Sequence, residues 1–240
     1  MTPPEGDARV AIVTGASRGI GAGVAAAFRA LGYAVVGTAR AMPGSKDPGL
    51  LTVSGDIAEA ETAQRVVGLA LERFGRIDTL VNNAGLFIGK PFTEYTPADY
   101  AAMTAVNLTG FFHITQRAIR QMADQRHGHV VNVTTSLVDH ARSASPAALA
   151  SLTKGGLDAV TRSLAIEYAA RGVRVNAVSL GVIRTQMHDD PDLYQGLAAQ
   201  HPLGRMGDVG DVVGGIMYLE QATFVTGETL HIDGGQAAGH

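Results

Sequence analysis

Cysteine is absent from the 240 residues of this chain, which removes disulfides, thiolate catalysis and cysteine-ligated zinc from consideration. The eight histidines show no HxxxH or HExxH spacing, so neither a structural nor a catalytic metal is expected. No apolar run approaches the roughly 20 residues of a membrane span, and residues 1–8 offer neither a basic start nor an apolar core. A soluble, cytoplasmic protein is the expectation. There is no excess of positive charge either: the formal net charge is -3, and Lys and Arg are scattered along the chain, which argues against nucleic acid as a partner. No stretch rich in Pro, Ser or charge divides the chain. One domain over 1–240 is therefore expected, large enough for a single sizeable core.

What is present is an alternation of short apolar runs with helical patterns. Strands are predicted at 10–13, 34–36, 50–53, 77–81, 130–133, 173–178 and 229–232. Helices are predicted from the glycine cluster to Leu31, near 59–74, as one long element over 97–125, over about 147–170, and over 208–221. The strands are continuous apolar runs without alternation, as required when helices cover both faces of a parallel sheet. The pattern predicts a Rossmann-like, doubly wound α/β fold with about seven strands in three α/β/α layers.

Between the first strand and the first helix lies Thr14-Gly15-Ala16-Ser17-Arg18-Gly19-Ile20-Gly21. Glycines there let the backbone turn tightly and approach a pyrophosphate, while the helix N-terminus offers free N–H groups and partial positive charge. The spacing is GxxxGxG. Together with Asn82-Asn83-Ala84-Gly85, Asn107, Lys154 and the Asp-Gly-Gly at 233–235, it resembles the short-chain dehydrogenase/reductase superfamily from residue 10 to about 235.

The resemblance implies a nicotinamide cofactor. Proteins that prefer NAD(H) usually place a carboxylate at the end of the second strand. Here that stretch is Gly37-Thr38-Ala39-Arg40, and Arg18 and Arg40 are two cations suited to an extra phosphate, so NADP(H) is favoured over NAD(H). By resemblance Gly15, Ser17, Arg18, Gly19, Ile20 and Gly21 form the phosphate cradle. Asp56 and Ile57 approach the adenine, Asn83, Ala84 and Gly85 line the ribose side, and Gly181, Ile183 and Thr185 flank the nicotinamide. Leu180 stands where the family usually has proline.

The same resemblance exposes a conflict. The family places a tyrosine four residues before the lysine, where it exchanges the proton at the reacting oxygen. Its lysine lowers that pKa and binds ribose, a serine shares the substrate oxygen, and an asparagine extends the relay. Positions 150 and 154 share a helix face, but position 150 is Ala. The serine position is open between Thr135, selected by counting from Gly128, and Ser136, selected by counting back from Lys154. Asn107 and Lys154 match their positions.

General acid–base assistance contributes about 10²- to 10⁴-fold, so its loss cripples a carbonyl reductase without abolishing hydride transfer. Three explanations stay open. The proton comes from water, Lys154, Ser151, His140 or His188; or an iminium or conjugated acceptor needs no acid; or the chain binds NADP(H) without turnover, natively or as a disabled variant. A redox-neutral lyase or isomerase is a further reading. The segment 185–204 is expected to form a lid over a small-molecule substrate. The helices near 97–125 and 147–170 have broad apolar faces, used by family members for homotetramer or dimer contacts.

Overall fold

The computed structural model describes residues 8–143, 145–186 and 193–239. Its centre is a seven-stranded parallel sheet of order β3-β2-β1-β4-β5-β6-β7. The strands are β1 (Val10–Thr14), β2 (Ala34–Ala39), β3 (Leu50–Ser54), β4 (Thr79–Asn82), β5 (Gly128–Thr135), β6 (Val173–Leu180) and β7 (Thr229–Ile232). The helices are α1 (Gly19–Ala30), α2 (Ala60–Phe74), α3 (Pro97–Thr104), α4 (Phe111–Gln125), α5 (Ala148–Tyr168), α6 (Tyr194–Ala198) and α7 (Val209–Gln221). The order of strands reverses between β1 and β4, which opens a crevice at the carboxyl ends of the strands.

Register explains why the strands read as unbroken apolar runs. Val36, Ile12, Leu80, Val130 and Val175 lie side by side across five strands and belong to one buried cluster with α2 and α4. One residue further along, Val13, Val81 and Val131 form the next row and point to the opposite cluster, with Phe28 of α1 and Ile216 of α7. Both faces are covered, and full burial of each such side chain contributes about 1.5–3 kcal/mol. Among the described residues no helix is long and apolar enough to cross a membrane, and no cluster of His, Asp and Glu could hold a metal.

The single long helix expected over 97–125 is instead two helices joined by a π-helical turn, Ala105–Gly110. Thr96 and Asp99 cap the start of α3 reciprocally, with Pro97 at its first position. Within the π turn, buried Asn107 accepts from the Leu86 amide at 2.8 Å and donates to the Leu86 carbonyl at 2.9 Å. Gly110 lets Ile57 approach, since a Cβ there would lie 2.8 Å from its side chain. The extra residue of the turn thus serves side-chain placement that hydrophobic periodicity does not encode.

Near the amino ends of the strands a polar network is sealed inside the molecule. Glu220 at the end of α7 accepts from Tyr33 Oη at 2.8 Å, Thr79 Oγ1 at 3.0 Å and His129 Nδ1 at 2.7 Å. Asn176 Nδ2 faces His129 Nε2 at 3.1 Å. All five residues are at most 8 % exposed. Burial holds His129 below its usual pKa, in the neutral form. Burial pushes the Glu220 carboxyl up, but the hydrogen bond and electrostatic attraction of His129, followed by the bonds from Tyr33 and Thr79, outweigh it and bring the pKa down to about 2.

Candidate active site

A cleft of about 1170 Å³ runs along the carboxyl ends of the strands. Its floor at one end is the turn after β1. Gly15 has φ +68°, open to glycine and strained for other residues, and a Cβ on Gly21 would lie 2.2 Å from the Gly15 carbonyl oxygen. Bare backbone therefore lines this part of the cleft, at the N-terminus of α1. Thr14 Oγ1 accepts from the amides of Asn83 at 3.0 Å and Ala84 at 2.9 Å, while Asn83 Nδ2 donates to the Thr14 carbonyl at 2.9 Å. These bonds stitch the loop after β4 to the glycine turn and fix the distance between them.

Gly15, Ser17, Arg18, Gly19, Ile20 and Gly21 all line this cleft, together with Arg40, Asp56, Ile57, Asn83, Ala84, Gly85, Gly181 and Thr185. Arg18 and Arg40 are exposed at its rim. Asp56 also accepts from the Ala58 amide at 2.9 Å, ahead of α2. Ile183 is different: it is buried at 4 % exposure, pairs through a backbone bridge with Gly207, and does not line the cleft.

At the other end Thr135, Ser136, Ala150 and Lys154 are brought together on the cleft wall. Lys154 Nζ donates to the Val133 carbonyl at 2.8 Å, and desolvation lowers its pKa to about 8. A Cβ on Gly85 would sit 3.1 Å from that amine, so the glycine leaves room for it. Ala150 is 2 % exposed and packs in a small cluster with Met103, Ala147 and Leu149, flanked by Leu86 and Leu137. Thr135 accepts from the Leu137 amide at 3.4 Å, a local turn contact. Ser136 is buried, and its Oγ donates to Gln236 Oε1 at 2.5 Å. Asn107 lies behind the wall and also donates to Thr153 Oγ1 at 3.1 Å.

Of the alternative proton donors named from sequence, Ser151 donates to the Leu137 carbonyl at 3.1 Å, and neither it nor His140 lines the cleft. His188 lies outside the described residues. So do Met187, Asp189, Asp190 and Asp192 of the expected lid, although Leu197 and Gln200 from its later part do line the cleft.

Two residues were missed by sequence reasoning. His201, 3 % exposed, accepts from the Val182 amide on Nε2 at 3.0 Å and meets the Leu197 carbonyl with Nδ1 at 2.9 Å, tying α6 to the turn after β6. Gln236, 2 % exposed, enters the cleft from the C-terminal segment. Two adjacent glycines at 234 and 235 were the available signal, because such a pair marks a sharp reversal that redirects the residue after it.

Comparison with known proteins agrees with this geometry. Residues 15–237 match the family model described as enoyl-(acyl carrier protein) reductase. The chain is 34 % identical over 239 residues to 3-oxoacyl-(acyl-carrier-protein) reductase FabG of Vibrio cholerae, covering 95 % of this chain and 97 % of that protein. It is 33 % identical over 238 residues to acetoacetyl-CoA reductase of Shinella zoogloeoides, covering 95 % and 98 %. Among solved structures, ElxO with NADP bound superposes with a TM-score of 0.90 at 27 % identity, covering 97 % of this chain and 100 % of that one. The aldohexose dehydrogenase of Thermoplasma acidophilum gives 0.88 at 26 % identity, covering 97 % and 95 %. A glycine cradle at the first strand–helix turn, a lysine on α5 and these matches over nearly the whole length make the chain a member of the short-chain dehydrogenase/reductase family of oxidoreductases.

Proposed function

We propose that this chain is an NADP(H)-dependent oxidoreductase that reduces a carbonyl or related unsaturated small molecule, imines and quinones included, without a tyrosine in its relay. The observation that carries the reading is the composition of one continuous cleft: an intact nucleotide cradle at one end, and Ser136, Lys154 and Ala150 together at the other. The cradle suits a dinucleotide because Gly15 and Gly21 leave backbone bare where any side chain would collide with the loop. Arg18 and Arg40, two cations lining the cleft, and ElxO, a protein of closely similar backbone known with NADP bound, support a cofactor carrying a 2'-phosphate. Lys154 would hold the nicotinamide ribose, with Gly85 giving it space. Bound there, a reduced nicotinamide supplies hydride.

The chain's own residues then orient and enclose the acceptor. Ala150 lines the cleft with a methyl group where the family carries a phenol, which suits an acceptor whose charge is already delocalised or cationic. Leu197 and Gln200 approach from the segment read as a lid, and His201 anchors that segment to the cleft floor. Exposed Phe112, Leu152 and Ile166 on α4 and α5 support the homotetramer expected from these helices.

The test is NADPH consumption across a panel of ketones, quinones, cyclic imines and acetoacetyl-CoA, with this chain beside its Ala150→Tyr form. Acceptor-dependent consumption by this chain, slowed in the Tyr form on the same acceptor, is expected. If the Tyr form alone turns over, the chain is a nucleotide binder with a disabled site and the reading fails.

A further inference from the structure

We propose that Gln236 holds the reacting oxygen of the substrate through its side-chain amide, taking over the hydrogen-bonding part of the tyrosine's role while leaving the proton to water. The inference rests on the reductase reading above and adds a residue to its substrate site.

Gly234 and Gly235 have φ +61° and +90°, a reversal unfavourable for other residues. Asp233 locks it: its Oδ1 accepts from the Gly235 amide at 2.9 Å, its Oδ2 from the Ala237 amide at 2.7 Å, and its carbonyl from the Gln236 amide at 3.2 Å. Against this turn lie His201 and Pro202, each within 3.2 Å of where a Cβ on Gly234 or Gly235 would stand. The Asp-Gly-Gly run therefore fixes the position from which Gln236 reaches into the cleft.

The Ser136 hydroxyl proton is committed to Gln236 Oε1, so Ser136 cannot donate it to a substrate without breaking that bond. Accepting it orients the amide and leaves both Nε2 hydrogens to be placed. Among the described residues they donate to no protein group, although the residue is 2 % exposed and what it shows opens on the cleft. An amide held at its oxygen by Ser136, with free N–H groups in the cleft that Ala150 and Lys154 also line, is a prepared site for an oxygen acceptor.

A reduced nicotinamide bound in the cleft would supply a hydride, one hydrogen with two electrons, to the carbonyl carbon. The π pair then moves to oxygen, and the negative charge growing there is met by the Gln236 N–H groups. A proton from water completes the alcohol, and Gln236 keeps its own hydrogens. Removing one such donor costs about 10²- to 10³-fold in turnover where charge develops.

The experiment compares wild type, Gln236→Met and Gln236→Glu with the best acceptor from the panel. Four quantities are measured: kcat/KM against pH, NADPH affinity, melting temperature, and calorimetric affinity of the acceptor for the NADP⁺-loaded protein, where no turnover occurs. Gln236→Met is expected to lose about 10²-fold in kcat/KM and up to about tenfold in acceptor affinity, with NADPH affinity unchanged. Gln236→Glu is expected to regain activity as pH falls and its carboxyl becomes a donor, a limb absent from wild type. A Gln236→Met form within threefold of an active wild type overturns the assignment of Gln236 and leaves the reductase reading standing. So does a Gln236→Glu profile parallel to wild type, which also decides the matter if the Met form does not fold. A wild type inactive with every acceptor overturns both.

Discussion

Replacing Glu220 by glutamine changes one atom of a buried side chain, yet the network around it gives that atom a definite cost. Asn176 accepts from the Glu228 amide on Oδ1 at 3.1 Å and donates to the Val225 carbonyl from Nδ2 at 3.0 Å, which fixes its amide. The same Nδ2 faces His129 Nε2, so that nitrogen accepts and the ring proton sits on Nδ1, pointing at Glu220. A glutamine can keep its oxygen for Tyr33 and Thr79, but its NH₂ then opposes Nδ1–H. The other tautomer gives no relief, because it turns Nε2–H against Asn176. One buried hydrogen bond is lost and two donors face each other, a destabilisation of about 2–3 kcal/mol. Urea denaturation at pH 7 measures it, as a lower midpoint at constant slope. In an Asn176→Ala background the ring is free to change tautomer and the penalty of Glu220→Gln should shrink, a coupling that a double-mutant cycle isolates. The acid limb follows from the same bonds. Glu220 protonates in the fold only near pH 2 against an ordinary 4.5, so its contribution is complete above pH 4.5 and is lost as pH falls towards 2. His129, held neutral, adds a loss that begins where the unfolded ring takes up a proton, below about pH 6.5. A Glu220→Gln form with the wild-type midpoint, or with the same loss in both backgrounds, would refute the reasoning.

Two further substitutions probe the cleft. Arg40→Asp should lower NADPH affinity by roughly 10- to 100-fold, the worth of a charged phosphate contact, while NADH affinity holds or rises; titration of nucleotide fluorescence reads both, and an unchanged ratio refutes the role of Arg40. Lys154→Met should weaken NADPH binding and raise the melting temperature at pH 7. The folded amine gives up its proton near pH 8 and the unfolded one near 10.5, so the unfolded state binds more protons between these values and wild-type stability rises with pH across that window. Melting curves from pH 7 to 10.5 should show this rise in wild type and its absence in the Met form.

The sheet was legible in the sequence because each central strand is buried on both faces and announces itself as an apolar run. Val10–Thr14 and Val173–Leu180 lie where those runs predict. Ile77 belonged to such a run but falls outside β4: its amide and carbonyl are taken by the side chain of Gln125, at 3.0 and 2.7 Å. Asn107 was identifiable by its motif, but the π turn that aims it at Leu86 leaves no mark in hydrophobic periodicity. The glycine turn at one end of the cleft was readable because glycines with fixed spacing carry it. Gln236 was not, since its part depends on meeting Ser136, 100 residues away in the chain. Glu220 read as an ordinary residue of a helix for the same reason: its donors come from β4, β5 and the residue before β2.

The placement of the two polar systems at opposite ends of one sheet bears on how this protein tolerates change. Glu220, His129 and Asn176 tie down the amino ends of the strands, while position 150 and its neighbours sit beyond their carboxyl ends, and the two groups share no hydrogen-bond partner. Substitutions in one region should therefore add to those in the other without coupling. A site can then lose its tyrosine, or be refitted around an amide, while the frame that carries it keeps its full stability. The cleft is free to explore chemistry because the frame is secured somewhere else.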